Sequence, residues 1–244
     1  MSQTASKRPV FLTGEWRKLI LVNYAVEPTI LEKYLPAKTE LDFWNGQTYI
    51  SLVGFMFLRT KVLGLPAVFH REFPEVNLRF YVRRKVGGEW RRGVVFIKEL
   101  VPKPVIALSA NVLYGESYST LPMRHAWGTA GGEELKVAYE WKTGSSWSKI
   151  SARALPHPTP FLPGSEGEYF TEQPWGFTKI SRKTTLEYAV EHPAWQVYPV
   201  KEYEIQVDGE GLYGKALAEV LKRQPKSVLV AEGSEILVRM WGMI

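Results

Sequence analysis

The stretch Glu75-Val-Asn-Leu-Arg-Phe-Tyr-Val-Arg83 decides how this chain folds. Side chains alternate faces along a strand, so Val76, Leu78, Phe80 and Val82 share one side, while Glu75, Asn77, Arg79, Tyr81 and Arg83 share the other. The first is a core face. The second is rich in hydrogen-bonding groups and reads either as a solvated surface or as the inner wall of a wet pocket. Just downstream, Gly87-Gly88 separates Pro74–Val86 from Glu89–Leu100, which predicts a long hairpin.

The same punctuation recurs outward from this hairpin. Leu41–Trp44 and Gln47–Leu58 flank Asn45-Gly46, a turn pair that accepts positive φ, and predict a second hairpin. Leu135–Lys142 and Trp147–Leu155 predict a third around Thr143–Ser146. Leu19–Ala25 reads as the first strand, and Pro28 opens a short helix through about Tyr34, because the missing N–H of proline would be unpaired there anyway. Thr178–His192 and Trp195–Val207 alternate as strands. Gly211–Arg223 places Leu212, Ala216, Val220 and Leu221 at helical spacing, and Ser227–Ala231 and Glu235–Trp241 close the chain as strands. Leu155–Pro163 holds four prolines in nine residues and is expected to be an extended loop within one domain, since similar strands continue on both sides. Many short strands with few helices favour a β-rich barrel or sandwich with helical additions.

Composition excludes several function classes. The 244 residues carry a net charge of +6 and no cysteine, which removes disulfides, thiolate metal sites and a thiol nucleophile. No apolar run approaches the ~20 residues that cross a bilayer. The longest, Tyr49–Leu58, is interrupted by Ser51 and Gly54. Met1–Pro9 is polar and lacks the apolar core of a signal peptide, so a cytoplasmic protein without membrane contact is expected. The four histidines His70, His125, His157 and His192 show no metal-ligand spacing, and neither metal nor cofactor is expected. Gly115-Glu-Ser-Tyr-Ser119 misses the G-x-S-x-G elbow of a serine hydrolase. A basic hairpin (Arg79, Arg83, Arg84, Lys85, Arg91 and Arg92) is interleaved with aromatic residues, but it is confined to one hairpin and does not make a nucleic-acid ribbon.

Several segments taken together resemble the YqjF-like family of bacterial proteins, a branch of the acetoacetate decarboxylase-like superfamily. They include Trp16-Arg17, Asn23-Tyr-Ala-Val-Glu-Pro28, Ser51-Leu-Val-Gly-Phe55, Glu75–Val82, Leu121-Pro-Met-Arg124, Glu191-His-Pro193 and Ala231-Glu-Gly-Ser234. The resemblance spans nearly the whole chain. It implies a single domain over residues 1–244, mainly β (α+β): a cone-shaped antiparallel β-barrel with a flanking sheet, two or three short helices and a site inside the barrel.

The decarboxylases form a Schiff base on a lysine whose pKa is lowered by a second cation and by desolvation. By resemblance, Met123 falls at the nucleophile position and Arg124 at the auxiliary cation, and a thioether forms no imine. Arg17 and Glu75 match two further pocket positions, which turns the polar face of Glu75, Asn77 and Arg79 toward the barrel interior. Glu116 lies in the cluster that follows an apolar strand and joins the candidate set. The expected activity is the binding of a small carboxylate or keto acid, with Arg17, Arg79 and Arg124 as guanidinium donors and Glu75 as acceptor or general base. Two alternatives stand beside it. One is a lyase, dehydratase or isomerase that uses Glu75 as acid/base; the other is a barrel held by a buried ion-pair network with no ligand. Members of the superfamily assemble into multimers, which leaves a homo-oligomer open.

Overall fold

The computed structural model describes residues 8–67, 71–104, 117–130 and 133–244. The long hairpin forms as expected, with β3 (Phe73–Val86) paired to β4 (Glu89–Val101) through Val86↔Glu89, and with Gly87 and Gly88 both at positive φ. β3 also pairs with β2 (Thr48–Val62), and β2 with β1 (Val10–Val26). On the far side of β4 lies β8 (Trp175–Lys179) in parallel pairing, followed by its antiparallel partner β9 (Thr185–Glu191). The last long strand, β11 (Ser227–Arg239), pairs along β1 and also meets β9 at Val190↔Val238 and Glu191↔Leu237. Among the described residues, seven strands thereby close into a ring.

A second, antiparallel sheet flanks the ring. It holds β5 (Met123–Ala130), β6 (Glu134–Thr143), β7 (Ser146–Ala154) and β10 (Val200–Gln206). The outward face of β3, with Val76, Leu78, Phe80 and Val82, shares a core with Val137, Tyr139, Trp141 and Ile150 of this sheet. The close approach needs Gly54 on β2, where an added Cβ would stand 2.7 Å from Cδ2 of Tyr139 and 3.0 Å from Cδ1 of Ile150. Gly54→Ala should destabilise the fold by about 2 kcal/mol through overpacking, measurable by urea denaturation. An unchanged midpoint would mean that the two sheets separate at little cost.

Several expectations change in detail. The Asn45-Gly46 turn forms, with φ of 48° and 77°, yet Glu40–Leu41 pairs with Arg83 and Val82 of β3 instead of with β2. Both edges of β2 are already occupied by β1 and β3, so only the Trp44↔Gln47 bridge remains of that hairpin. Trp195–Val207 is two strands. Gln196–Tyr198 joins the ring sheet and Val200–Gln206 joins the second sheet, with Pro199 as the crossing point. Thr178–His192 likewise breaks at residues 180–184 into β8 and β9. The helical stretch 211–223 is split at Gly214 (φ 78°) into Glu210–Tyr213 and Lys215–Leu221. The two closing strands are one strand, which passes through Gly233 at φ 77°. Within the proline-rich loop, Thr159–Pro160 forms a two-residue edge strand, a position that tolerates proline.

One helix was not legible from apolar periodicity. Glu166–Thr171 is capped by Ser165, whose Oγ accepts from the amide of Glu168, and its Tyr169 and Phe170 fill the barrel end against Tyr49 and Tyr81. Its sequence signal was the capping box Ser165-Glu-Gly-Glu168.

Candidate functional site

The rest of the ring interior is open, enclosing a cavity of about 460 Å3. The alternation that puts Val76 and Leu78 in the outer core turns Glu75, Asn77 and Arg79 into this cavity. All three are at least nine-tenths buried. Their neighbours across the sheet extend the polar patch, because Asn77 stands opposite Glu99 and Glu99 opposite Tyr118. Asn77 Nδ2 donates to Glu75 Oε1 at 3.0 Å, and the Tyr118 hydroxyl donates to Glu75 Oε2 at 3.2 Å. Burial pushes the Glu75 carboxyl up to about 7, against the opposing pull of these two donors and the Arg79 charge.

Arg79 is anchored at one nitrogen. Its Nη2 donates at 3.0 Å to the carbonyl of Phe170, one of the helix-end acceptors with no partner inside the helix. Its Nε has no hydrogen-bond partner among the described residues, and neither has Asn77 Oδ1. His192 stacks on Trp195 with ring centroids 4.4 Å apart, and burial first, then the Arg79 charge, holds its imidazole below the usual range. It borders both the cavity and a more open, charged groove that includes Glu15, Arg59, Lys61 and Arg71.

The remaining candidates lie elsewhere. A bulge in β1 at Lys18 (φ 55°) lets Trp16 and Leu19 both face the cavity, while Arg17 turns to Glu15 at 2.7 Å and to the Gly233 carbonyl at 3.2 Å. Arg17 is therefore not brought to Glu75. Arg124 is exposed on the second sheet and stacks over Trp147 at 4.1 Å. Met123, opposite Trp141, packs half-buried against the core between the sheets. Neither reaches the cavity, because β5 belongs to the flanking sheet and not to the ring. Glu116 lies outside the described residues. No salt bridge joins Arg17, Glu75, Arg79 and Arg124 to one another among the described residues, so they do not form the mutual network weighed above.

The basic hairpin is engaged within the chain. Arg84 and Arg91 hold Glu187, Arg83 pairs with Glu40, and Arg92 with Asp42. Sequence reasoning passed over the aromatic wall of Trp16, Phe55, Phe57 and Trp195, and also His192. For the last two, the available signal was the Glu191-His-Pro193 motif that leads into Trp195. No group of three His, Cys, Asp or Glu is placed to hold a metal among the described residues, and no helix there is long and apolar enough to cross a membrane.

Comparison with known proteins places this architecture. A family profile described as an uncharacterized conserved protein, DUF2071, matches residues 13–235. The chain belongs to the DUF2071 family. A DUF2071 chain of this kind is 38% identical over 71 residues to the uncharacterized protein YqjF of Bacillus subtilis strain 168, a match spanning 29% of each protein. Solved structures show where the fold belongs. The acetoacetate decarboxylase of Legionella pneumophila superposes with a TM-score of 0.65 at 12% identity, covering 97% of this chain and 88% of that one. An acetoacetate decarboxylase-like enzyme from Sphingomonas wittichii RW1 gives 0.64 at 13% identity, covering 97% and 94%. The enduracididine biosynthesis enzyme MppR complexed with pyruvate gives 0.64 at 11% identity, covering 96% and 91%. The DUF2071 chain thus has the cone-like acetoacetate decarboxylase fold.

Proposed function

We propose that this protein binds a small carboxylate or keto acid inside the ring, as a single domain, with Arg79 as the carboxylate anchor. One observation carries the reading. A guanidinium at least nine-tenths buried faces a largely apolar cavity beside Glu75 and Asn77, with no carboxylate at salt-bridge distance among the described residues and one nitrogen unpartnered. Burying a cation that way is costly unless an anion joins it. A ligand carboxylate supplies the missing acceptor at Nε, while Asn77 Oδ1 and the Glu75 carboxyl face the ligand's second polar group. MppR, a fold neighbour, was captured with pyruvate, which is in keeping with an acid ligand here.

The described residues lining the cavity include no lysine. The reading therefore involves no imine. A second reading rests on Glu75. A carboxyl poised near 7 beside the Tyr118 hydroxyl is suited to moving a proton at a carbon next to a ligand carbonyl, as in an isomerase or dehydratase.

The test is ligand-dependent stability. Millimolar 2-oxobutanoate or 4-methyl-2-oxopentanoate should raise the melting temperature of the native protein. Arg79→Met, which keeps an unbranched apolar stem but removes the guanidinium, should weaken binding by about tenfold or more. The absence of any shift with every acid tried overturns the reading.

A further inference from the structure

Resting on that site, the cavity also defines the class of acid. At about one liquid-water volume per non-hydrogen atom, 460 Å3 accommodates about fifteen of them. A two- to four-carbon acid fills a minor part of that space. The remainder is lined by Trp16, Phe55, Phe57, Trp175 and Trp195, which offer stacking faces and almost no hydrogen bonds. Water left there would lack the polar partners that hold buried water in place. Glu75, Asn77, Arg79, Glu99 and Tyr118 are gathered in one patch on β3, β4 and the neighbouring strand Tyr118–Thr120, through Asn77↔Glu99 and Glu99↔Tyr118, while Thr60, Thr171, Gln173 and His192 add polar atoms elsewhere in the lining. The aromatic wall comes instead from β1, β2, the start of β8 and the segment after β9. One acidic end and one bulky apolar end are what this division recognises.

We infer that the ligand is a carboxylate carrying an aromatic or branched-alkyl body, with its acid group on Arg79 and its body among Trp16, Phe55, Phe57 and Trp195. The body excludes water from the Arg79–carboxylate contact, which strengthens that contact in turn.

Tryptophan fluorescence reads the binding directly, since three of the wall residues are tryptophans. The probes are the straight-chain acids from acetate to decanoate, 3-phenylpropanoate, phenylpyruvate, and the neutral 3-phenylpropanamide. Affinity should rise roughly fourfold per added methylene through the series, since even decanoate fits within the cavity. The phenyl acids should bind at least a hundredfold more tightly than acetate or pyruvate. The amide should bind at least tenfold more weakly than its acid, with the difference lost in Arg79→Met. A flat series, in which acetate and pyruvate match the phenyl acids, overturns this inference and leaves the acid site standing. Equal binding of acid and amide, or no binding by any probe, overturns it together with the site.

Discussion

Glu187→Gln should lower stability by about 3 kcal/mol and the melting temperature by about 10 °C. Glu187 is fully buried on β9 and is held by three guanidiniums: Arg91 at 2.7 Å, Arg84 at 2.9 Å and Arg8 at 3.2 Å. Arg84 and Arg91 are register partners on β3 and β4, and Arg91 also stacks over Trp175 of β8 at 4.2 Å. The carboxylate thus fastens the tip of the long hairpin to the strands that close the ring. A neutral amide of the same shape keeps the packing but leaves three cations converging without an anion, two of them mostly shielded from water. Glu134 is the natural control. It also holds two cations, Arg153 and Lys201, but those partners are half-exposed, and Glu134→Gln should cost much less and respond more to salt. Thermal and urea denaturation at matched pH separates the two. Equal losses would show that the Glu187 cluster is no more than a surface ion pair.

The fate of this hairpin shows what the sequence made legible. Period-two alternation placed Val76 to Val82 in one core and Glu75, Asn77 and Arg79 on the opposite face, and glycine pairs located the turn, because both are local properties of the chain. The partners of the charges were not local. Arg84 and Arg91 meet a glutamate about a hundred residues on, and Arg92 meets Asp42 fifty residues back. No spacing rule encodes either. Arg17 failed to reach the site for a reason equally invisible to alternation, since the bulge at Lys18 exchanges the faces of the residues that follow it. Trp195–Val207 alternates as if it were one strand, and nothing in that pattern marks Pro199 as the point where the chain leaves one sheet for another. The cavity itself arises from ring closure between β9 and β11, and its aromatic wall is assembled from residues between positions 16 and 195. Recognising it from sequence requires the topology first.

Glu75→Gln should abolish a stability change of about 3 kcal/mol between pH 4.5 and 8 that the native protein shows. The sign follows from proton binding. In the unfolded chain the carboxyl titrates near 4.5, whereas in the fold burial pushes it up to about 7. Between those values the folded state holds a proton that the unfolded state has released. Stability contributed by the protonated carboxyl is therefore complete below about pH 4.5, falls as pH rises through the window, and is lost above about 7. Glutamine mimics the protonated form, with one acceptor for Asn77 and no charge to desolvate, so the variant should be the more stable protein at pH 8. Denaturant midpoints measured from pH 4.5 to 8 give the comparison, and parallel curves would show that Glu75 titrates as an ordinary exposed carboxylate. The same ionisation bears on the proposed ligand. A carboxylate seated on Arg79 next to Glu75 meets a second negative charge once Glu75 ionises, so acid binding should weaken as pH rises past 7 in the native protein and hold constant in Glu75→Gln. Loss of binding in both proteins over the same pH range would assign the effect to a group other than Glu75.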